Sequence, residues 1–458
     1  MGAASPRQAV RICAALFVVS LVLRVPGIGL GLWFDEVWML VDFVRKPLAT
    51  IVATYPTDNH HPLYTLLAWA SVRIFGEHPW SLRLPALLFG AASVPALYLF
   101  ASKVAPQRVA ILASALLAVS PHHVSFSQNA RGYTVTLFFA LVASQAALAR
   151  KPVRQGIALA LSCYAHLTGA FAAAGQLVAA AIAARSGRPA SRGPLLGVAL
   201  GALLAFGLHA PMLEEMKYFF FDHVNPYKAP AEWSSPLWTA AEAARSLGVG
   251  LVPGLAAIAA GVLVAAIGAK SLWKRDREAA CIAVVPFALC AIVLVAMGRN
   301  LWPRSFFFAA GFLALLGAEG FLALADRILP RIADALAAAA VVVALTLLPP
   351  IWKLPKQDFA GARDFALAAR TEGGKVLTVG LASFPYEAYY GGGFTPVDSR
   401  EELERELADG EALVITTLPV YLRSRRPEIA RILDERGTEI SRFRGSVGDG
   451  DVVVLRVR

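Results

Sequence analysis

Apolar runs of helical length alternate with short polar loops over the first 350 residues of this 458-residue chain. A helix that crosses the hydrocarbon of a bilayer needs about 20 mostly apolar residues. Runs of this kind predict spans near 9–28, 84–102, 108–121, 133–149, 155–168, 170–184, 194–211, 246–268, 279–298, 304–325 and 331–349. The stretch 62–76 is apolar but shorter, which predicts an interfacial helix within the first outer loop. Beyond Lys353 charged residues become frequent and the apolar runs shrink to strand length. Segments 375–381, 412–417 and 451–457 predict strands, and 358–370, 400–408 and 428–436 predict amphipathic helices. Gly391, Gly392 and Gly393 predict a turn. The expected fold is a polytopic all-α membrane protein of about 11 spanning helices over 1–350, followed by a small soluble α/β domain over 351–458.

The charges orient this threading. The net charge is +11 and the pI about 9.7, but no RNA-binding or zinc-finger pattern accompanies it, so nucleic acid is not the expected partner. With the N-terminus in the cytoplasm, the basic clusters fall in short inner loops. These clusters are Lys103 with Arg108; Arg150, Lys151 and Arg154; Arg185, Arg188 and Arg192; Lys270, Lys274, Arg275 and Arg277; and Arg327 with Arg331. A crossing by 62–76 would put them all outside. The tail is therefore expected on the extracytoplasmic side of a multi-pass protein of the cell membrane, in bacteria the inner membrane. Arg7 and Arg11 precede the apolar run 12–23, which no small-residue cleavage site follows, so this run is expected to be an uncleaved first span. Cys13, Cys163, Cys281 and Cys290 lie in apolar runs without metal spacing and are expected to be buried hydrophobes. Gly197/Gly201 and Gly250/Gly254 have the small-xxx-small spacing of close helix packing.

This orientation gathers His60, His61, His78, His122, His123, His166, His209 and His223 at the outer face, with Asp35, Glu36, Asp58, Arg131, Arg299 and Arg304. Ionisable groups at the ends of spans point to a lined polar cavity. The first outer loop carries Trp33-Phe34-Asp35-Glu36-Val37-Trp38, in which an acidic pair between aromatic residues suits a general base or a metal ligand. Asp58-Asn59-His60-His61-Pro62 follows. A divalent metal stays open, with Asp35, Glu36 and His60 as candidate ligands; a histidine pair without a third spaced ligand does not specify zinc. In the second outer loop, Gln128-Asn129-Ala130-Arg131-Gly132-Tyr133 places an arginine at the mouth of a span. Phosphate is the anion its planar fork fits.

Phe34-Asp35-Glu36, His61-Pro62-Leu63-Tyr64, Ser81-Leu82-Arg83-Leu84-Pro85, Ser120-Pro121 through Tyr133, Tyr164-Ala165-His166 and Pro303-Arg304 occur in that order. Together they resemble the C-type membrane glycosyltransferases, in particular the group of protein O-mannosyltransferases and lipid A aminoarabinose transferases. The resemblance covers roughly the first 325 residues, and the tail is similar to the small soluble domain of bacterial members. It implies a polyprenyl-phosphate-linked sugar donor, a lipid, glycan or protein acceptor, and transfer at the outer face; direct displacement of the phosphate would invert the anomeric centre. It implies catalysis by Asp35 with Glu36 beside it, donor phosphate on Arg131 and Arg304, and a polar substrate contact from His166; beside the resemblance, His60, His61, Asn129 and Tyr133 are further candidate substrate contacts. Such enzymes usually carry a second acid just before the loop-two arginine. Gln128-Asn129 stands there instead, which leaves a two-loop metal site without one of its carboxylates.

Three other readings compete. A multi-span transporter would place ionisable groups near the midplane on broken helices, and Glu319 is the main candidate for such a group. A polysaccharide ligase or polymerase of similar membrane fold would differ in its acceptor. A scaffold whose tail binds a partner leaves Asp35, Glu36 and Arg131 without a role.

Overall fold

Proline opens many of the helices, because its fixed φ suits the first helical position and its missing N–H would be unpaired there in any case. Pro6, Pro62, Pro79, Pro121, Pro152 and Pro303 each begin one. The computed structural model describes residues 5–185, 192–222, 235–246, 251–372, 374–408 and 410–458. Three sequence assignments, to Arg188, His223 and Gly250, fall outside them.

Among the described residues seven helices are long and apolar enough to cross a bilayer: Pro79–Val104, Leu167–Arg185, Arg192–Phe220, Leu251–Arg275, Arg277–Ala296, Pro303–Ile328 and Ala333–Lys353. An eighth forms if Gln107–Val119 and Pro121–Ser127, bent by 57° at Ser120, count as one broken span. The other three expected spans are the helices Pro6–Val22, Tyr133–Leu148 and Pro152–Ala165, of 17, 16 and 14 residues. At 1.5 Å per residue these are roughly 21–26 Å long, short of a hydrocarbon core of about 30 Å. The fold is therefore a helical membrane bundle with a small C-terminal sheet, while eleven full-length spans are not what its helix lengths give. The segment expected at the interface is a 14-residue helix, Pro62–Phe75.

Glycines let several helices touch backbone to backbone. A Cβ on Gly268 would lie 1.9 Å from the Leu316 carbonyl oxygen, and one on Gly320 the same distance from that of Val264. This pair locks the Leu251–Arg275 helix to Pro303–Ile328. Gly197 and Gly201 seat their helix against Gln155, Gly156 and Leu159.

The polar loops sort to two ends of the bundle. At one end Arg108 pairs with Asp326 and Asp334, Arg150 with Glu278 at 2.6 Å, and Arg275 with Glu319 at 2.7 Å. These are the basic clusters of the sequence, and they show Glu319 as the ion-pair partner of a loop arginine. At the other end lie the Asp35 and Arg131 loops, and the C-terminal sheet packs on them.

That sheet comprises β1 (Lys375–Val379), β2 (Thr395–Val397), β3 (Ala412–Thr417), β4 (Gly437–Phe443) and β5 (Val452–Val457), in the order β2-β1-β3-β5-β4. β2, β1 and β3 are parallel, and β5 is antiparallel to both β3 and β4. Alternation along the strands feeds two cores. Leu377, Val379 and Val414 pack with Leu403, Ile429 and Leu433 on one face. Val376, Ile415 and Val454 pack with Phe359, Ala362 and Tyr386 on the other. β1, β3 and β5 match the predicted strands. β2 and β4 are additional, both at the sheet edges. Gly391, Gly392 and Gly393 all have positive φ, so only glycine holds that turn without strain.

Candidate active site

Trp33 ends an extended segment and begins a five-residue helix, Phe34–Trp38. Consecutive helical residues point about 100° apart, so the adjacent acids face different surroundings. Glu36 turns inward and is fully buried. Its carboxylate accepts from Arg83 Nε at 2.8 Å and Nη2 at 2.5 Å, from the Ala130 amide at 2.8 Å, and at longer range from the Trp33 amide. Arg83 also donates to the Ile28, Leu30 and Gly31 carbonyls at 2.6–2.9 Å, so all of its N–H groups are engaged. Burial would raise the Glu36 carboxyl, but Arg83, Lys356 and the Ala130 amide outweigh it and hold the group below the ordinary carboxylate range. A carboxylate so occupied ties the first loop to the second; it has no lone pair turned to a substrate.

Asp35 turns the other way and forms an ion pair with Arg131. Arg131 donates from Nε to His61 Nε2 at 3.1 Å, and the other ring nitrogen of His61 faces the Ala165 carbonyl at 3.2 Å. The bonds assign the tautomer: Nδ1–H donates to the carbonyl and the Nε2 lone pair receives the guanidinium. Burial, then the charges of Arg131 and His166, keep His61 far below the ordinary histidine value and hence neutral. Tyr133 lies under the guanidinium at 5.5 Å and 5.0 Å from the His166 ring, which is 4.9 Å from that of His61. Gly132 permits this closeness: a Cβ there would meet the Ala165 carbonyl oxygen at 2.1 Å. Asn129 accepts a 3.2 Å hydrogen bond from the Trp33 indole, a second bridge between the loops.

The structure thus brings Asp35, Arg131, His61, Tyr133 and His166 into one contiguous group. Arg131 has an acidic partner within the chain, supplied by the first loop; the glutamine and asparagine beside it had suggested none. Arg304 stands apart, exposed and stacked on Trp302 at 5.3 Å, although its charge and that of Arg131 both reach His166. His60 stacks flat on Phe43 at 4.8 Å. Burial holds His60 at about 4, so its ring is neutral. Among the described residues the side-chain amide of Asn59 has no hydrogen-bond partner, although the residue is buried. Such a group suits a polyhydroxylated ligand or water. The candidate metal ligands do not converge: Asp35 faces Arg131, Glu36 faces Arg83 and His60 faces Phe43. Among the described residues no three His, Cys, Asp or Glu side chains gather as a metal site.

The family model described as dolichyl-phosphate-mannose-protein mannosyltransferase matches residues 59–211. Over nearly its whole length the chain superposes on ArnT from Cupriavidus metallidurans. The apo form gives a TM-score of 0.52 at 13% identity, covering 98% of this chain and 97% of that one. The fold is that of the C-type membrane glycosyltransferases. The undecaprenyl phosphate-bound form of ArnT gives a TM-score of 0.51 at 14% identity, covering 99% and 98%. The oligosaccharyltransferase of Archaeoglobus fulgidus, solved with Zn and sulfate, gives 0.57 at 13% identity, covering 93% of this chain and 71% of that one. No curated protein matches the chain by sequence. The stretch matched by the mannosyltransferase model carries His60, His61, Asn129, Arg131, Tyr133 and His166 of this C-type fold, and Asp35, Glu36 and Arg304 lie outside it.

Four further residues contribute to this end of the C-type bundle without having been assigned a role from the sequence. Arg83 sat in a quoted motif without a role. Arg24 is fully buried and donates to Ser127 Oγ at 3.0 Å and to the Ser20 and Ala118 carbonyls at 2.8 and 3.2 Å. A lone arginine after an apolar run was its only signal. Lys356 and Gln357, at the start of the tail, reach both loops and left no signal in the sequence.

Proposed function

We propose that the protein is a membrane glycosyltransferase that moves a sugar from a polyprenyl-phosphate donor to a lipid, glycan or protein acceptor at the outer face of the membrane. The observation that carries this reading is the Asp35–Arg131–His61 group at a loop-lined end of the bundle. Three features support it: the likeness to ArnT, solved with undecaprenyl phosphate; the mannosyltransferase match; and the basic loops gathered at the opposite end, which by charge belong in the cytoplasm. By the same argument residues 351–458 form an extracytoplasmic domain.

In this mechanism the donor phosphate takes the guanidinium of Arg131, with Arg304 adding charge from the rim. Asp35, relieved of its partner, accepts the proton of the acceptor hydroxyl. The acceptor oxygen bonds to the anomeric carbon as the bond from that carbon to the phosphate oxygen breaks, and polyprenyl phosphate leaves with the electron pair. A single displacement inverts the anomeric centre. His61, neutral and fixed by Ala165, holds Arg131 in place without competing for the proton. Glu36 and Arg83 keep the two loops together.

The test is a strain lacking the protein, analysed for an accumulated polyprenyl-linked sugar and for the glycan or lipid that loses a residue. Complementation by the wild type and not by Asp35→Asn is expected. Restoration by Asp35→Asn, or no change in any polyprenyl-linked sugar, would refute the reading.

A further inference from the structure

The start of the C-terminal region is wired into the loop that carries Asp35. Gln357 Oε1 accepts the amide of Phe34, the residue before Asp35, at 3.0 Å, while its Nε2 donates to Thr417 Oγ1 at the end of β3, also at 3.0 Å. Gln357 is buried. The Phe34 ring packs against Phe384 at 5.8 Å and joins the core on one face of the sheet. Tyr390 donates its hydroxyl to the Leu32 carbonyl at 2.7 Å, so closely that a Cβ on Gly31 would touch it. On the second loop, Lys356 Nζ donates to the Gln128 carbonyl at 2.7 Å.

The place of these contacts in the sheet is informative. β1 lies between β2 and β3, so the chain runs to one side of β1 and then crosses to the other. In open sheets the crevice beyond the carboxyl ends of such strands is where ligands bind. Here Thr417, the last residue of β3, bonds Gln357, and Phe384, five residues beyond the end of β1, packs on Phe34 of the bundle's own loop.

We infer that the C-terminal domain uses this crevice to hold the Asp35 loop in its reactive position, with Gln357 and Lys356 as positioning residues for the transfer. The inference rests on the Asp35 reading for its functional half only. Gln357 fixes the amide next to the base, and Lys356 fixes the loop that presents Arg131. Loosening either increases the distance fluctuation between Asp35 and its target, and small misplacements of a catalytic group lower turnover steeply.

The experiment compares full-length wild type with Gln357→Leu, Lys356→Met and the milder Tyr390→Phe, using Asp35→Asn as a control. Hydrogen exchange is followed on the peptide spanning 32–38 in the detergent-solubilised protein. Turnover is read as the lipid-linked sugar remaining in complemented cells, at matched protein abundance. Gln357→Leu is expected to raise exchange of the Phe34 amide about tenfold, the loss of roughly one hydrogen bond, and to slow turnover about as much. Exchange in the Pro79–Val104 helix should not change. Tyr390→Phe, which removes one hydroxyl, should show the same pattern more weakly and serves if the leucine variant does not accumulate. Unchanged exchange at 32–38 in both Gln357→Leu and Tyr390→Phe would overturn the clamp, whatever the activity. Raised exchange with wild-type turnover would overturn its functional role. Wild-type turnover by Asp35→Asn would instead bring down the catalytic reading and leave the clamp to be judged by exchange.

Discussion

Glu36 and Arg83 meet through two hydrogen bonds of 2.5 and 2.8 Å, with side chains 0% and 2% exposed. Removing one partner of a pair so buried leaves an uncompensated charge, at a cost of roughly 3–5 kcal/mol. Glu36→Gln and Arg83→Met are therefore expected to lower the unfolding temperature and the yield of membrane-extracted protein. Thermal unfolding in detergent measures this. A Glu36→Gln protein as stable as wild type would return Glu36 to the list of catalytic candidates.

Asp35→Asn should behave in the opposite manner. The side chain is 19% exposed, so its loss should cost less stability than that of Glu36, while turnover falls at least about 10²-fold, the contribution of a general base. Wild-type turnover in a well-expressed variant would remove Asp35 from the mechanism.

The two arginines separate by environment. Arg131 bonds Asp35 and His61 together, which a lysine ammonium cannot reproduce with the same fork. If the proposed function holds, Arg131→Lys is expected to weaken binding of a polyprenyl-phosphate-linked donor about tenfold or more, the loss of a charge-assisted hydrogen bond. Arg304→Lys, at an exposed and stacked site, should weaken it less. Binding curves for the lysine variants and for Arg304→Gln, all overlapping wild type, would leave both residues as membrane anchors only.

Lys356 gives a pH signature. Burial, with Arg83 adding to it against the pull of Glu36, lowers its pKa to about 8 from the ordinary 10.5. Between these values the unfolded chain binds more protons than the folded one, so stability rises with pH across that window. Below pH 8 both states are charged and the contribution to the slope vanishes. Unfolding temperatures from pH 7 to 10 should show this rise in wild type and lose part of it in Lys356→Met. An identical slope in the variant would contradict the assignment.

The parts of the fold legible in the sequence were those set by local pattern. Long apolar runs gave the helices, and basic loops gave their grouping at one end. β-rich runs such as Ala412–Thr417 gave the central strands. β4 was missed because Gly437-Thr438-Glu439-Ile440-Ser441-Arg442-Phe443 is largely polar and carries a bulge between Glu439 and Ser441. β2 is three residues with a central proline, readable only as an edge. At the site, the residue types and loops were legible but their pairing was not. Asp35 and Arg131 are 96 positions apart, and the acids of a two-residue run were divided by helix geometry between Arg131 and Arg83. Gln357 carries no sequence signal because its partners are a backbone amide and a threonine hydroxyl, groups that any loop possesses.

The contact of Gly268 and Gly320 bears on how a long isoprenoid could reach such a site. A polyprenyl chain resides in the bilayer and has to slide in sideways between helices. At this crossing the two backbones lie so close that even a methyl group would collide with a carbonyl oxygen, so no acyl or prenyl chain threads between Leu251–Arg275 and Pro303–Ile328 there. The seam is shut at that level of the bundle, which lies near the Arg275 and Asp326 end and away from Asp35, so a lateral path between these two helices has room only nearer their other ends.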